Sequence, residues 1–378
     1  MNSKEIFTAE SVTFGHPDKF CDLVSDMVLD ECLKTDPNAR VACETYATKG
    51  LIVVGGEITS TARPDYKAII QTAGAKAGYN LESAKIIEAV HEQSPDIKEA
   101  VDGLYAKGEQ GAGDQGVMVG YACDDTLEFL PLEYSYAKKL TERLEYLYLS
   151  GGIKGIGSDG KSQVSAEFIL GNFERFTKIV VSVQHDKNKD LEELRTEITD
   201  KVINYVFSGF DLSRTEILIN PSGRFVCGGI DADTGLTGRK IVVDAYGPRV
   251  QVGGGAFSGK DPSKVDRSGA YFARYIARNI VEGGIADKCL VQIAYAIGKA
   301  EPLAVSIDTF GTGKAEDDAL RNAVMKVFDF RPAEIASALG LKKPIYSSLS
   351  SGGHFGKDGC PWESADKVCD LRKAVFGG

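Results

Sequence analysis

One order of elements recurs three times along the chain, and few folds accommodate such a recurrence. Residues 17–34 place Phe20, Leu23, Val24, Met27 and Val28 at the i, i+3, i+4, i+7, i+8 spacing of an amphipathic helix. Pro17 suits the first helical position, and Asp18 sets negative charge at the positive end of the helix dipole. The β-rich stretches 41–47 and 51–59, joined by Thr48-Lys49-Gly50, predict a hairpin, and 64–78 predicts a second helix. The order returns as a helix near 133–148, strands near 163–170 and 177–185, and a helix near 190–207. It returns again as a helix near 267–282, strands near 289–297 and 303–310, and a helix near 316–328. Three helix–hairpin–helix units predict three similar α+β domains, each a sheet packed with helices. The period is far longer than that of a solenoid repeat.

The matching partition is an N-terminal domain over 1–98, a gating loop or linker over 93–111, a central domain over 112–231 and a C-terminal domain over 232–378, with the chain able to weave between them. The polar, Gly-rich stretch 91–116 reads as a candidate mobile lid or as a domain linker. Asp18, Asp22, Asp26 and Asp30 descend one face of the first helix at i+4 steps. That stripe reads as solvated surface except for Asp18, which adjoins His16 at the helix entrance.

Charge narrows the partners. The net charge of −10 makes nucleic acid and anionic membrane poor general partners. Segment 239–267 runs against the trend, with Arg239, Lys240, Arg249, Lys260, Lys264 and Arg267 set against Asp244, Asp261 and Asp266. A basic island in an acidic chain points to an anionic small molecule. The 8 cysteines form no C-x-x-C pair and mostly lie in apolar stretches, as buried hydrophobes of a reducing compartment do. His16, His91, His185 and His354 are scattered, which argues against a zinc site. The start, Met-Asn-Ser-Lys-Glu, lacks the features of a signal peptide, and no apolar run is long enough to cross a membrane. The cytoplasm is the expected location.

Chemistry concentrates in residues 253–269. Gly253, Gly254, Gly255 and Gly259 let the backbone approach a ligand closely. Lys260, Lys264 and Arg267 supply cations, while Asp261 and Asp266 supply metal-capable carboxylates. This inventory suits a polyphosphate that arrives with magnesium. Gly254-x4-Gly259-Lys260 fits the first seven positions of a P-loop, but Asp261 stands where that motif needs a hydroxyl. Four more clusters share the character: Gly15-His16-Pro17-Asp18-Lys19, Gly111-Ala-Gly-Asp114-Gln115-Gly116, Asp159-Gly-Lys161-Ser162-Gln163, and Asp233-Thr-Gly-Leu-Thr-Gly-Arg239-Lys240.

Together these segments resemble the S-adenosylmethionine synthetase (methionine adenosyltransferase) family. Phe7-Thr-Ala-Glu10-Ser11-Val12 leading to Gly15-His-Pro-Asp-Lys19 is similar to its opening, Gly111–Gly116 to its hexapeptide, and Gly253–Asp261 to its glycine-rich nonapeptide. Gly223-Arg-Phe-Val226, Gly235–Lys240, Gly353-His-Phe-Gly356 and Pro361-Trp-Glu363 extend the likeness over nearly the whole chain.

The resemblance implies synthesis of S-adenosylmethionine from ATP and L-methionine, with release of pyrophosphate and phosphate. It also implies three α+β domains in a pseudo-threefold arrangement, two Mg²⁺ and one K⁺ per site, and a homodimer or dimer of dimers. Carried onto matching positions, His16, Lys161, Arg239 and Lys260 would be catalytic. His16, Asp159, Lys161, Arg224, Phe225, Asp233, Arg239, Lys240, Ala256 and Lys260 would line the ATP site. Glu57, Gln93, Asp114, Asp233 and Lys264 would face methionine; Asp18 and Asp266 would each hold a magnesium and Glu44 a potassium. Residues 93–103 would begin a gating loop. Phe14, Thr234 and Gly160 depart from the commonest family pattern, which bears on turnover and substrate tolerance.

The implied reaction suits the inventory. A thioether sulfur has no proton to lose, so attack at C5′ needs no general base. The leaving triphosphate needs cations fixed beforehand, which accounts for a site rich in Lys and Arg and poor in His. Two other readings remain: a kinase or P-loop ATPase built on 254–260, and a non-catalytic nucleotide sensor. Formation of S-adenosylmethionine, ADP or neither separates the three.

Overall fold

A computed structural model describes residues 4–94 and 110–377. The predicted gating loop therefore lies outside the described residues except at its two ends.

Among the described residues three sheets form, and each contains one of the predicted hairpins. The first orders strands β4 (Lys85–His91), β3 (Leu51–Thr59), β2 (Arg40–Thr48) and β9 (Gly235–Leu236). The second orders β1 (Lys4–Val12), β6 (Ile156–Ile169), β7 (Asn172–His185) and β8 (Glu216–Ile219). The third orders β11 (Ala304–Asp308), β10 (Lys288–Tyr295) and β5 (Gly116–Cys123). Every sheet takes one strand from a distant part of the chain. β1 runs antiparallel along β6 from Lys4↔Ile169 to Val12↔Lys161. β5 lies beside β10, and β9 extends β2 through Tyr46↔Leu236 and Ala47↔Gly235.

Helices α1 (Pro17–Thr35), α2 (Tyr66–Ala77), α3 (Leu132–Ser150), α4 (Leu191–Ile198), α5 (Val265–Glu282) and α6 (Asp317–Val327) follow the predicted order, and α7 (Pro332–Ala338) and α8 (Val368–Phe376) are additions that the sequence pattern does not anticipate. Local signals explain their ends. Asp65 caps α2 by accepting from the Ala68 N–H at 2.9 Å, and Gly78 closes it in the left-handed conformation. Asp190 caps α4 in the same way, and a π-turn carries the helix on through Thr199–Ile203 to Asn204–Val206.

Two units contain a strand–helix–parallel-strand crossover, β3–α2–β4 and β7–α4–β8. In the third, α6 follows β11 and α8 packs against it. The first and third sheets share one large core around α1 and α5, including Phe20, Val24, Val28, Tyr271, Phe272 and Ile276. The second sheet has its own core with α3 and α4, where Phe168, Phe173, Phe176, Phe207, Phe210 and Tyr136 interlock edge to face. Such pairs favour one packing beyond what area burial provides. β5 lies so close on α5 that a Cβ at Gly120 would come 2.0 Å from the Ala273 backbone. Five cysteines are buried as expected, whereas Cys227 and Cys369 are exposed.

Candidate active site

The first assembly of site residues forms at the entrance of α1. Thr13 ties the preceding turn to β6, donating its N–H to Gly160 O (3.0 Å) and its hydroxyl to Ser158 O (2.6 Å). That contact brings the Ser158–Lys161 stretch of β6 to the α1 entrance, where the Lys161 charge acts on His16. His16 is the N-cap, 3 % exposed, and its Nδ1 accepts the Asp18 N–H at 3.2 Å. The ring proton therefore resides on Nε2. Burial, then the Lys240 and Lys161 charges, push its pKa down to about 3, so the ring is a neutral donor at neutral pH.

Asp18 accepts the Leu236 N–H (3.0 Å) and the Lys240 ammonium (2.5 Å), with Arg239 at 3.7 Å. Burial works to raise its pKa, but the bonds from Lys240 and Leu236 outweigh it and hold the carboxyl below the ordinary range. Asp159 takes the Gly229 N–H on Oδ2 (2.8 Å), while its buried Oδ1 has no partner among the described residues. An unpartnered buried acceptor fits a ligand hydroxyl or N–H. The Arg224–Phe225 loop and the exposed Asp233 adjoin this cluster.

The second assembly lies on the Gly-rich loop and the neighbouring sheet. Lys260 reaches Asp266 at 2.6 Å and pairs as a bridge with Ala42, which is opposite Glu57 on the other side of β2. Residues directly opposite share a face, so Glu57 and Lys260 stand on one face with Glu44, two residues along β2 from Ala42. His91 joins them opposite Glu57, and Gln93 donates its N–H to Thr59 Oγ1 at 3.3 Å. Gly113 donates to Ser263 O (3.0 Å), bringing the exposed Asp114 alongside. Lys264 turns inward to Asp261 at 2.5 Å. Ala256 meets the other loop: a Cβ on Gly238 would come 2.6 Å from the Ala256 Cβ. The two assemblies are linked through their backbones, by the β2–β9 pairing and by Thr237 donating its N–H to Thr45 O (3.0 Å), while their cations attend different carboxylates.

Two expectations are corrected. The aspartate stripe of α1 is not solvated surface: Asp22 and Asp26 are 0 % exposed and Asp30 is 6 %. Each is buried because it receives a distant backbone amide. Asp22 accepts Gly238 N–H (2.9 Å), Asp26 accepts Gly259 N–H (2.8 Å), and Asp30 accepts Tyr346 and Ser347 N–H (2.9 and 2.8 Å). Asp26 also pairs with Arg267 through both oxygens (2.7 and 2.9 Å), and Lys19 sits between Asp22 and Asp244. These residues shape both assemblies, and only their spacing hinted at it. Second, the basic island is not wholly a ligand surface. Arg249 is consumed by Asp125 and Glu133, and Arg267 by Asp26.

The P-loop alternative finds no support. Among the described residues no strand leads into the Gly-rich loop, and Asp261 is turned to the Val41 and Ser263 amides.

Comparison with known proteins finds three domain models of one family along the chain. Residues 4–95 match the S-adenosylmethionine synthetase N-terminal domain, 109–225 its central domain and 227–364 its C-terminal domain. An S-adenosylmethionine synthase of Desulforudis audaxviator is 45% identical over 396 aligned residues, spanning 100% of both chains. One of Brachyspira hyodysenteriae is 48% identical over 377, covering 95% of this chain and 96% of its own.

Proposed function

The chain belongs to the S-adenosylmethionine synthetase family, and we propose that it joins ATP to L-methionine with its two assemblies serving as complementary parts of one site. The observation that carries this reading is a neutral His16 at a helix N-terminus, acted on by the Lys240 and Lys161 charges, with Arg239 and Lys240 on the adjacent Asp18. A helix N-terminus and fixed cations welcome a polyphosphate. The neutral ring donates its Nε2 hydrogen to a triphosphate oxygen without asking for a proton in return. Asp159 Oδ1, Phe225, Arg224 and Asp233 take the nucleoside end.

Methionine sulfur attacks C5′, and the triphosphate leaves with the bonding electrons of the C5′–O bond. Lys161, Arg239, Lys240 and Lys260 stabilise the charge that develops on that oxygen. Glu57, Gln93, Asp114 and Lys264 serve the methionine end. Triphosphate held by the same cations is then split by water into pyrophosphate and phosphate.

Metal ions serve this family, and we assign magnesium to Asp18 and Asp266 and potassium to Glu44. Among the described residues no three His, Cys, Asp or Glu side chains gather into a metal cage. Magnesium asks for none, because it keeps water and phosphate oxygens as its other ligands. Magnesium held by Asp18 and Asp266 would supply positive charge against the triphosphate oxygens. Self-association as a homodimer or dimer of dimers completes the reading. No helix among the described residues is long and apolar enough to cross a membrane.

Incubation with ATP, L-methionine, Mg²⁺ and K⁺ is the test. S-adenosylmethionine, pyrophosphate and phosphate in equal amounts are expected. ADP in their place would indicate phosphoryl transfer, and nucleotide binding without product would indicate a sensor.

A further inference from the structure

The loop carrying Arg224 and Phe225 is set from β7. One residue grips both backbone groups of Phe225. The His185 N–H donates to Phe225 O (2.8 Å), and the Phe225 N–H donates to His185 Nε2 (3.0 Å). The other ring nitrogen, Nδ1, lies 2.9 Å from the Asp186 carbonyl. A carbonyl has no hydrogen to offer, so Nδ1 carries the ring proton and Nε2 keeps the lone pair that receives Phe225. Both contacts hold together only in the neutral Nδ1–H tautomer.

The surroundings enforce the grip. His185 is the last residue of β7 and is buried. Beside it, Gln184 Nε2 donates to Val226 O at 3.2 Å. The Gln184 side chain is wedged between Gly157 and Gly228, where a Cβ would come 2.5 and 2.7 Å from it. At the far end of the segment Asp159 holds the Gly229 N–H. The backbone is thus fixed from β7 and β6 while the Phe225 ring stays half-buried.

We infer that His185 is a positioning residue for nucleobase recognition, holding the Phe225 loop where its ring meets the purine of ATP. The inference rests on the reading of Phe225 as an ATP-site residue. His185 touches no reacting atom, so its removal acts on ATP affinity and base choice before it acts on chemistry.

The test uses three substitutions in the full chain, with KM for ATP, KM for methionine, discrimination of ATP from GTP, and Tm measured for each. His185→Asn keeps a donor near Asp186 O but leaves the Phe225 N–H without an acceptor. His185→Gln places an amide oxygen at the reach of Nε2 and restores that acceptor. His185→Ala and His185→Asn should raise KM for ATP on the order of tenfold, the effect of one buried amide left unpaired, and narrow the ATP/GTP preference. KM for methionine should stay near wild type, and His185→Gln should recover most of the loss. If His185→Ala fails to fold, the Asn and Gln pair carries the comparison. Asn and Gln variants that behave alike, or a rise in both KM values with a lowered Tm, overturn the inference. Phe225→Ala separates the layers. An unchanged KM for ATP there overturns the underlying reading and the clamp with it. A raised one beside a wild-type His185→Asn overturns the clamp alone.

Discussion

His16 decides what the α1 entrance offers a ligand, because its ring is buried neutral with Nε2–H as its one donor. The ordinary pKa of 6.5 falls to about 3, through burial first and the Lys240 and Lys161 charges second. Between those values the unfolded chain binds a proton at this position and the folded chain does not. Stability from this residue is therefore whole above pH 6.5 and drains away as pH falls toward 3. His16→Asn, which keeps a side-chain donor and cannot titrate, should flatten the acid limb of Tm against pH. An unchanged acid limb would show that the native ring titrates normally. Gly259 is a second residue whose role is sharp. Its φ is +78°, and a Cβ there would come 1.9 Å from Cys43 O. Gly259→Ala should destabilise the fold by more than the usual 1 kcal/mol or so of a point substitution and displace Lys260, measured as a fall in both Tm and kcat. Wild-type values for both would refute the close approach. At this scale residue types were legible and their partners were not. Gly259, Lys260 and Asp266 stood out by composition, whereas His185 looked like one of four scattered histidines. Its function lies in a turn 40 residues downstream that spacing does not reveal.

Within a single element, α1 carries the clearest gap between pattern and meaning. The i+4 period of Asp18, Asp22, Asp26 and Asp30 was plain, yet the face it marked is buried. An acidic stripe normally reads as solvated because a buried carboxylate is costly without partners. The partners here are amides 216 to 317 residues away, on loops that no helical period can announce. By receiving Gly238 and Gly259, the helix aligns the loop of Arg239 and Lys240 with the loop of Lys260. Asp26→Asn removes the charge opposing Arg267 while both remain buried. A cost of about 3–5 kcal/mol in urea unfolding is expected, as for any buried pair that loses one partner. The control, Glu31→Gln, breaks only the exposed Glu31–Lys34 pair and should cost about 0.5 kcal/mol or less. Equal effects from the two substitutions would return the stripe to solvated surface.

For the molecule as a whole, the threefold order of helix, hairpin and helix was legible because each unit carries its own periodicity. The lent strands were not. β9 is two residues long, and β1 and β5 join hairpins more than a hundred residues away, so nothing local marks them as strands. The exchange brings Gly235–Lys240 to α1 and sets Lys260 against β2, yet it leaves two assemblies facing different carboxylates. Arg239 and Lys240 attend Asp18, and Lys260 attends Asp266. A triphosphate that needs all of these cations is better met if the proposed dimer sets one copy's α1 entrance against the other copy's Gly-rich loop. A two-fold interface would then create two equivalent sites, each drawing on both chains. Arg239→Ala and Lys260→Ala should each be nearly inactive, since one preorganised electrostatic contact is worth on the order of 10²–10³ in kcat. Mixing the two variants and allowing subunits to exchange should produce heterodimers with one intact site and one doubly damaged site. Activity should return to about half the wild-type level per heterodimer, because one of two equivalent sites is restored. Mass spectrometry of the intact assemblies measures the exchange independently of turnover. Verified heterodimers that stay inactive would place Arg239 and Lys260 in the same chain's site and remove the shared-site arrangement.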